Sequence, residues 1–442
     1  RGVRVVPEFD LPGHSRSWQI AYPQLSSEPG KTYFLYHQDG LFSDPIDPTR
    51  TENLALVANI VQEMSALFPD DYFHMGGDEV DKTAWEDSQP IQQFIEDNGL
   101  EDEHGLQQWF MARYAEIVMS LGKVPIGWDE IADGKLAPEV VVNKWLKLEY
   151  SEAEKQNPIV LSAGFYLDHM QTAWRHYRND PSTLPNAAGA QVLGGEASAW
   201  AESIDQYTID MRVWPRTLAI AELLWSPASI TDSVTEPQLY RRLDIHSKRL
   251  EAVGLQHLRH TQAWFEQLLG PDNARPLIAL ASVSRAEPFA GLLTALPRFF
   301  RFPWDKTLYD EPLPLSVFFD HIPPESLEAR RFNLAVERYL RTRRATDRDE
   351  VREQLQAWSD NHPALLLSIE GSAQLQDAGV AELSAELKQL ADAGLAALAA
   401  LEAGTTLSGS RYQDVVDENA FMDPELSLAW FRQRCCSGCP TA

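Results

Sequence analysis

Six short segments of the chain share one pattern: a run of apolar, largely β-branched residues that stops at a cluster of acids and aromatics. They are residues 3–9, 72–76, 124–128, 140–145, 159–163 and 192–196. Near-continuous apolar runs of this length mark strands buried on both faces of a parallel sheet. Between several of them lie longer stretches with helical periodicity, at 53–68, 103–121 and 205–224. Parallel neighbours need a crossover and a helix is the usual one, so the alternation predicts an α/β fold. The link 129–139 is short and predicts an abbreviated crossover, while 237–253 predicts one more amphipathic helix after the last strand.

The residues at the strand ends separate two parallel architectures. In order they are Glu8 and Asp10, Asp78 and Glu79, Trp128 and Asp129, Trp145, Tyr166 and Asp168, and Trp200 and Glu202. A TIM barrel carries its site around the whole carboxyl-terminal rim. A doubly wound sheet concentrates ligand residues at one switch point. Polar clusters at every strand end, without a Gly-rich phosphate loop, favour the barrel. Six strands fall short of eight, so the expectation is a (β/α)8 TIM barrel truncated at its N-terminus, lacking its first two βα units.

The chain opens at Arg1 in strand-like sequence without an initiator Met, so the lack of a leader says nothing about export. Periplasmic or secreted placement stays compatible. Past about residue 266 the character changes. A Pro-rich, aromatic stretch at 299–315 leads into helical patterns at 325–342, 347–358 and 373–401, without strand signals. The expected division is therefore a barrel over 1–265 and an α-helical C-terminal domain over 266–442.

Composition narrows the partners. Among 442 residues, 65 Asp and Glu outweigh 38 Lys and Arg, a net charge of −27. Such a field repels nucleic acid and anionic lipid and admits neutral or cationic partners. No apolar run approaches the roughly 18 residues of a membrane span. Cys435, Cys436 and Cys439 sit together in the last eight residues. One CxxC pair lacks the four ligands of a structural zinc site, and a barrel without cysteine leaves the redox compartment open. No metal or cofactor is expected, and the oligomeric state is left open.

The sharpest local signal is His74-Met-Gly-Gly-Asp-Glu79 at the end of the second strand-like segment. Two glycines allow a tight turn and a close approach of backbone to ligand. Two adjacent carboxylates follow, in the loop where a barrel keeps its catalysts. Buried neighbouring acids repel, so one holds its proton and can serve as an acid. The competing structural interpretation is an Asp that caps the next helix.

Gly-Gly-Asp-Glu after such a strand resembles the signature of glycoside hydrolase family 20, the β-N-acetylhexosaminidases. Other stretches are similar to that family in the same order. They are Pro7-Glu-Phe-Asp-Leu-Pro-Gly-His14, Gly127-Trp-Asp-Glu130, the Trp145 segment, Leu161-Ser-Ala-Gly-Phe-Tyr-Leu-Asp168 and Gly194-Gly-Glu-Ala-Ser-Ala-Trp-Ala-Glu202. Arg212-Val-Trp-Pro-Arg216 through Glu222-Leu-Leu-Trp225 completes the set, which spans about 1–255. The resemblance implies substrate-assisted hydrolysis, in which the sugar's own 2-acetamido oxygen attacks the anomeric carbon to give an oxazolinium ion. Its substrate would be a terminal N-acetylglucosamine or N-acetylgalactosamine of an N-acetylated glycan or chitooligosaccharide.

The same resemblance implies roles. Glu79 would be the general acid and then the base. Asp78 would accept the acetamido N–H, and Tyr166 would donate to the acetamido oxygen. Trp128, Trp145 and Trp200 would wall the pocket, while Asp168 and Glu202 would bind sugar hydroxyls. His14, Glu8 and Asp10 would support the acids, and Trp174 is a candidate contact for a leaving sugar. In the family a first-strand Arg grips the sugar; neither Arg1 nor Arg4 stands at the correct strand end to replace it. Two alternatives follow: a relative that releases a disaccharide such as lacto-N-biose, and a truncated barrel that binds N-acetylated sugars without turning them over. The DxxDxDxE pattern of the other substrate-assisted chitinase family is absent.

Overall fold

The computed structural model describes residues 2–34, 44–133, 136–201, 204–284, 286 and 318–405. Five strands form one parallel sheet: β1 (Tyr72–His74), β2 (Val124–Trp128), β3 (Val141–Lys144), β4 (Pro158–Leu161) and β5 (Gln191–Gly195). Each strand borders the one before it in the chain, in the order β1-β2-β3-β4-β5. The register sets His74 beside Ile126, Trp128 beside Asn143, and Leu161 beside both Lys144 and Gly195. The carboxyl ends of all five therefore open on one side, which is what places the polar clusters together.

The segment expected as a strand over 3–9 is only partly one. Glu8 makes a single parallel bridge to His74, flanked by Phe9 N–H to the His74 carbonyl (3.0 Å) and Leu11 N–H to the Met75 carbonyl (3.1 Å). Val3, Val5 and Val6 form no strand and are 80%, 55% and 40% exposed. Residues 7–11 have a partner in β1; residues 3–6 have no described strand beside them, so their β propensity goes unused.

Helices α1 (Thr51–Leu67) and α2 (Glu103–Ser120) cover the first half of the sheet. Val57, Val61, Phe73, Met75, Phe110, Met111 and Tyr114 form its core. The short 129–139 link folds as a 3-10 turn, Asp129–Asp133. On the second half, α3 (Ala173–Tyr177), α4 (Arg216–Trp225) and α5 (Glu236–Ala252) pack Ala219, Ile220, Leu239 and Leu243 against Leu161 and Phe165. The helix expected over 205–224 is broken into Ile209–Val213 and α4, because Trp214 is extended ahead of Pro215.

From His260 onward the described residues contain no strand. Helices α6 (His260–Leu269), α7 (Pro271–Ala281), α8 (Leu327–Thr342), α9 (Ala345–Ile369) and α10 (Val380–Ala403) share one core that includes Phe265, Leu277, Phe332, Leu355, Trp358 and Leu387. The pattern at 373–401 is interrupted where Gly379 adopts φ +70°, so Ala373–Asp377 stands apart from α10. No helix among the described residues is long and apolar enough to cross a membrane. The 299–315 stretch and the three cysteines lie outside the described residues.

Buried Arg212 joins the two parts, while buried Arg216 braces residues 167–171 within the first. Arg212 donates to the carbonyls of Asp320 (2.6 Å) and Ile322 (3.3 Å), and Arg216 to those of Leu167 (2.9 Å) and Gln171 (3.0 Å). From the helical side, the Glu325 carboxylate accepts the backbone N–H of Ala173 at the start of α3.

Candidate active site

The loop after β1 is built around two glycines with positive φ, Gly76 at +72° and Gly77 at +103°. A Cβ on Gly76 would lie 1.7 Å from the Asp10 carboxylate oxygen, so only glycine lets these segments meet. Gly77 N–H donates to that same oxygen at 2.9 Å, and Gln107 of α2 holds the Gly77 carbonyl at 2.8 Å. The backbone is thereby fixed just ahead of Asp78 and Glu79. Glu79 itself sits in the left-handed region at φ +49°, a conformation that costs a non-glycine residue on the order of 1–2 kcal/mol. Such strain is characteristic of positions held for function.

The two acids converge on one imidazole. His14 Nε2 lies 3.7 Å from Asp78 Oδ2 and 3.5 Å from Glu79 Oε2. Asp10 joins the cluster: one oxygen each of Asp10 and Asp78 and one His14 nitrogen all lie within 4.8 Å of one another. Burial and the Asp78 charge push the Asp10 carboxyl well up. Burial also raises Asp78, with His14 pulling the other way. Two buried carboxyls this close cannot both ionise freely, so the Asp10–Asp78 pair retains a proton. Asp78 Oδ1 is buried and has no hydrogen-bond partner among the described residues.

The aromatics stand at and beyond the carboxyl ends of the neighbouring strands. The Trp128 ring lies 4.8 Å from His74 and 5.6 Å from Trp200. Its indole N–H donates to Glu8 at 2.9 Å. Burial would raise Glu8, but His74 at 3.3 Å and the indole outweigh it and hold the carboxyl below its ordinary range. Trp145 and Tyr166 stack at 6.2 Å. Tyr166 is buried, which pushes its phenol up and keeps it a donor, and Asp78 is near enough for its charge to contribute. Trp200 is 45% exposed at the open side.

Asp168 is buried and accepts the backbone N–H groups of Trp200 (3.0 Å) and Ala201 (3.4 Å). It anchors the loop after β5. Glu202 lies outside the described residues. Trp174 stacks on Tyr177 at 6.0 Å, as a packing residue does. The structure thus gathers Asp78, Glu79, His14, Trp128, Trp145, Tyr166, Asp168 and Trp200 at one end of the sheet.

A cleft of about 510 Å³ reaches Glu79 and is lined also by Lys82, Gln107, Asp129, Glu130, Lys144 and Tyr150; Asp78, Trp128, Trp145, Tyr166 and Trp200 are not among its lining residues. Its floor is a buried ion triad: Lys144 Nζ lies 2.6 Å from Glu154 and 3.3 Å from Asp129. Asp129 also approaches the backbone N–H groups of Trp145 and Leu146 at 3.4 Å. Sequence reasoning assigned no role to Glu130, Gln107, Lys144 or Glu154. Glu130 could have been found from its place beside Trp128 at a strand end, whereas nothing marked Gln107 within an ordinary helix.

A family model described as glycosyl hydrolase family 20, catalytic domain, matches residues 1–228. The chain belongs to glycosyl hydrolase family 20. This family 20 chain is 35% identical over 268 residues to the beta-hexosaminidase subunit beta of Mus musculus, covering 58% of this chain and 49% of that protein. It is 32% identical over 290 residues to a beta-hexosaminidase of Porphyromonas gingivalis, covering 58% and 35%. It spans about half the length, or less, of these curated relatives. Among solved structures, a chitobiase of Flavobacterium johnsoniae matches with a TM-score of 0.78 at 28% identity, over 96% of this chain and 65% of that one. A match of that extent takes in the helices past the family domain as well as the sheet.

Proposed function

We propose that the chain forms the catalytic part of an exo-acting β-N-acetylhexosaminidase. It would remove terminal N-acetylglucosamine or N-acetylgalactosamine from glycans or chitooligosaccharides, with retention of configuration. The observation that carries this reading is the Asp78–Glu79 pair on a strained loop, joined through His14, with Trp145 linked to that loop through Glu130 and Tyr166 close enough to feel the Asp78 charge. Two carboxyls acting from opposite faces of a sugar stand about 5–9.5 Å apart, and neighbours in sequence on one loop are poorly placed for that. They suit a mechanism in which the substrate supplies the nucleophile.

In that mechanism the acetamido oxygen attacks C1 as the glycosidic C1–O bond breaks, and Glu79 gives its proton to the leaving oxygen. Asp78 accepts the acetamido N–H at Oδ1, which has no partner among the described residues, and stabilises the positive charge of the oxazolinium ion. Tyr166, kept protonated by burial, donates to the acetamido oxygen and aims it. Glu79 then takes a proton from water as it attacks C1, and the second inversion restores the original configuration. We further infer that the sheet belongs to an eight-stranded barrel. Strictly sequential parallel strands, a site at their carboxyl ends and unpaired apolar residues at 3–6 support this.

The test is hydrolysis of p-nitrophenyl N-acetyl-β-glucosaminide and of N,N′-diacetylchitobiose by the full-length protein. Glu79→Gln should cut turnover of chitobiose by about 10²–10⁴-fold, and Asp78→Ala by a comparable factor, with folding intact. A thiazoline mimic of the oxazolinium ion should inhibit strongly. Normal chitobiose turnover by Glu79→Gln would remove the proposed acid.

A further inference from the structure

We infer that Glu130 is a positioning residue whose carboxylate ties the backbone of the catalytic acid to the Trp145 indole. Its Oε1 accepts the backbone N–H of Glu79 at 3.4 Å, and its Oε2 accepts the indole N–H of Trp145 at 3.0 Å. One carboxylate thus bridges the loop after β1 and the end of β3, using a separate oxygen for each. This inference rests on the proposed role of Glu79 as the acid.

Three further observations support it. Glu79 is held at φ +49°, where an ordinary residue does not rest by itself, so its N–H needs a partner that favours this state. The Glu130 backbone is itself fixed: Gln108 of α2 donates to its carbonyl at 2.9 Å, while the adjacent Gln107 holds Gly77. One stretch of a helix therefore clamps both the acid's loop and the residue that steadies it. Glu130 is also no solvated surface acid. Burial raises its carboxyl to about 7, against the pull of the Trp145 indole, and Asp129 and Asp78 add to the rise.

A residue that aims a proton donor has a signature that a merely structural one lacks. Protonation matters most when the leaving group is a basic alkoxide, as with a sugar, and least for an activated phenolate. Glu130→Gln keeps the shape but turns an amide NH2 toward one of the two N–H donors. On full-length protein, kcat/KM for N,N′-diacetylchitobiose should fall about 10–100-fold, and that for p-nitrophenyl N-acetyl-β-glucosaminide less than about 3-fold. Glu130→Asp keeps the charge but is too short to span both donors, and should show the same selective loss. Equal losses on both substrates, no loss on either, or failure of both variants to fold would each overturn the inference. Glu79→Gln run alongside separates the two ideas. If it turns over chitobiose normally, the acid is misassigned and the inference falls with it. If it is inactive while Glu130→Gln leaves the ratio of the two substrates unchanged, only the inference falls.

Discussion

At the scale of single residues, the candidate site depends on backbone conformations that side chains ordinarily avoid. Gly76 is the clearest case, since both its φ of +72° and the Asp10 carboxylate against it exclude a Cβ. Gly76→Ala should therefore displace Asp10 and the acids together. We expect a stability loss of about 2–4 kcal/mol and lower turnover by the fraction that remains folded. Thermal unfolding with a parallel p-nitrophenyl glycoside assay checks this; wild-type behaviour in both would mean that the turn tolerates a side chain. The glycines, both acids and the candidate aromatics could be named from the sequence, because each stands at or a few residues past the end of a strand-like segment. Glu130 and Gln107 were not singled out. Their importance comes from what they touch across the fold, the Glu79 N–H and the Gly77 carbonyl, and no spacing rule encodes such contacts.

Elements show the same division between local and distant causes. β2 is found where its apolar run predicted it, and β1, β3, β4 and β5 to within one or two residues; β3 is buried throughout, whereas β5 is exposed or half-buried along its length. Residues 3–6 belong to such a run too and form no strand, since pairing needs a neighbour as well as propensity. Trp214–Pro215 and Gly379 interrupt helices whose apolar periodicity runs through, which shows a local breaker overriding a face pattern. Helix α3 carries a testable liability beneath the Tyr166 loop. His176 is fully buried, donates from Nδ1 to the Gly164 carbonyl (2.7 Å), and has no partner for Nε2 among the described residues. Burial, with Arg216 nearby, lowers it to about 3. The unfolded chain takes up this proton below about pH 6.5 and the folded one does not, so the stability it contributes is whole above that pH and drains away toward pH 3. From pH 6.5 to pH 4 the loss should be on the order of 3 kcal/mol. Urea midpoints for His176→Asn should lack that part of the slope; an identical slope would show that His176 does not cause it.

For the whole molecule, the contacts that stand out are those of buried Arg212 with Asp320 and Ile322 and of the Glu325 carboxylate with the Ala173 N–H, which tie the sheet's last helices to residues 320–325. Arg212 is completely enclosed, and burial brings it down to about 10, yet its guanidinium satisfies two carbonyls of the helical part. Arg212→Met fills similar space but strands those carbonyls. It should cost about 2–5 kcal/mol in denaturant unfolding, and an unchanged midpoint would show the junction to be held by other contacts. The sequence gives no hint of this joint, since an Arg in a helix reads as surface until its surroundings are known. The plain sequential order of the strands has a consequence for biosynthesis. A nascent polypeptide leaving the ribosome always presents its next strand to an edge that is already formed, so the sheet can grow by accretion from one side. Among the five described strands none waits for a distant partner; closure of the proposed barrel, and of the late helices over Arg212, would come afterwards.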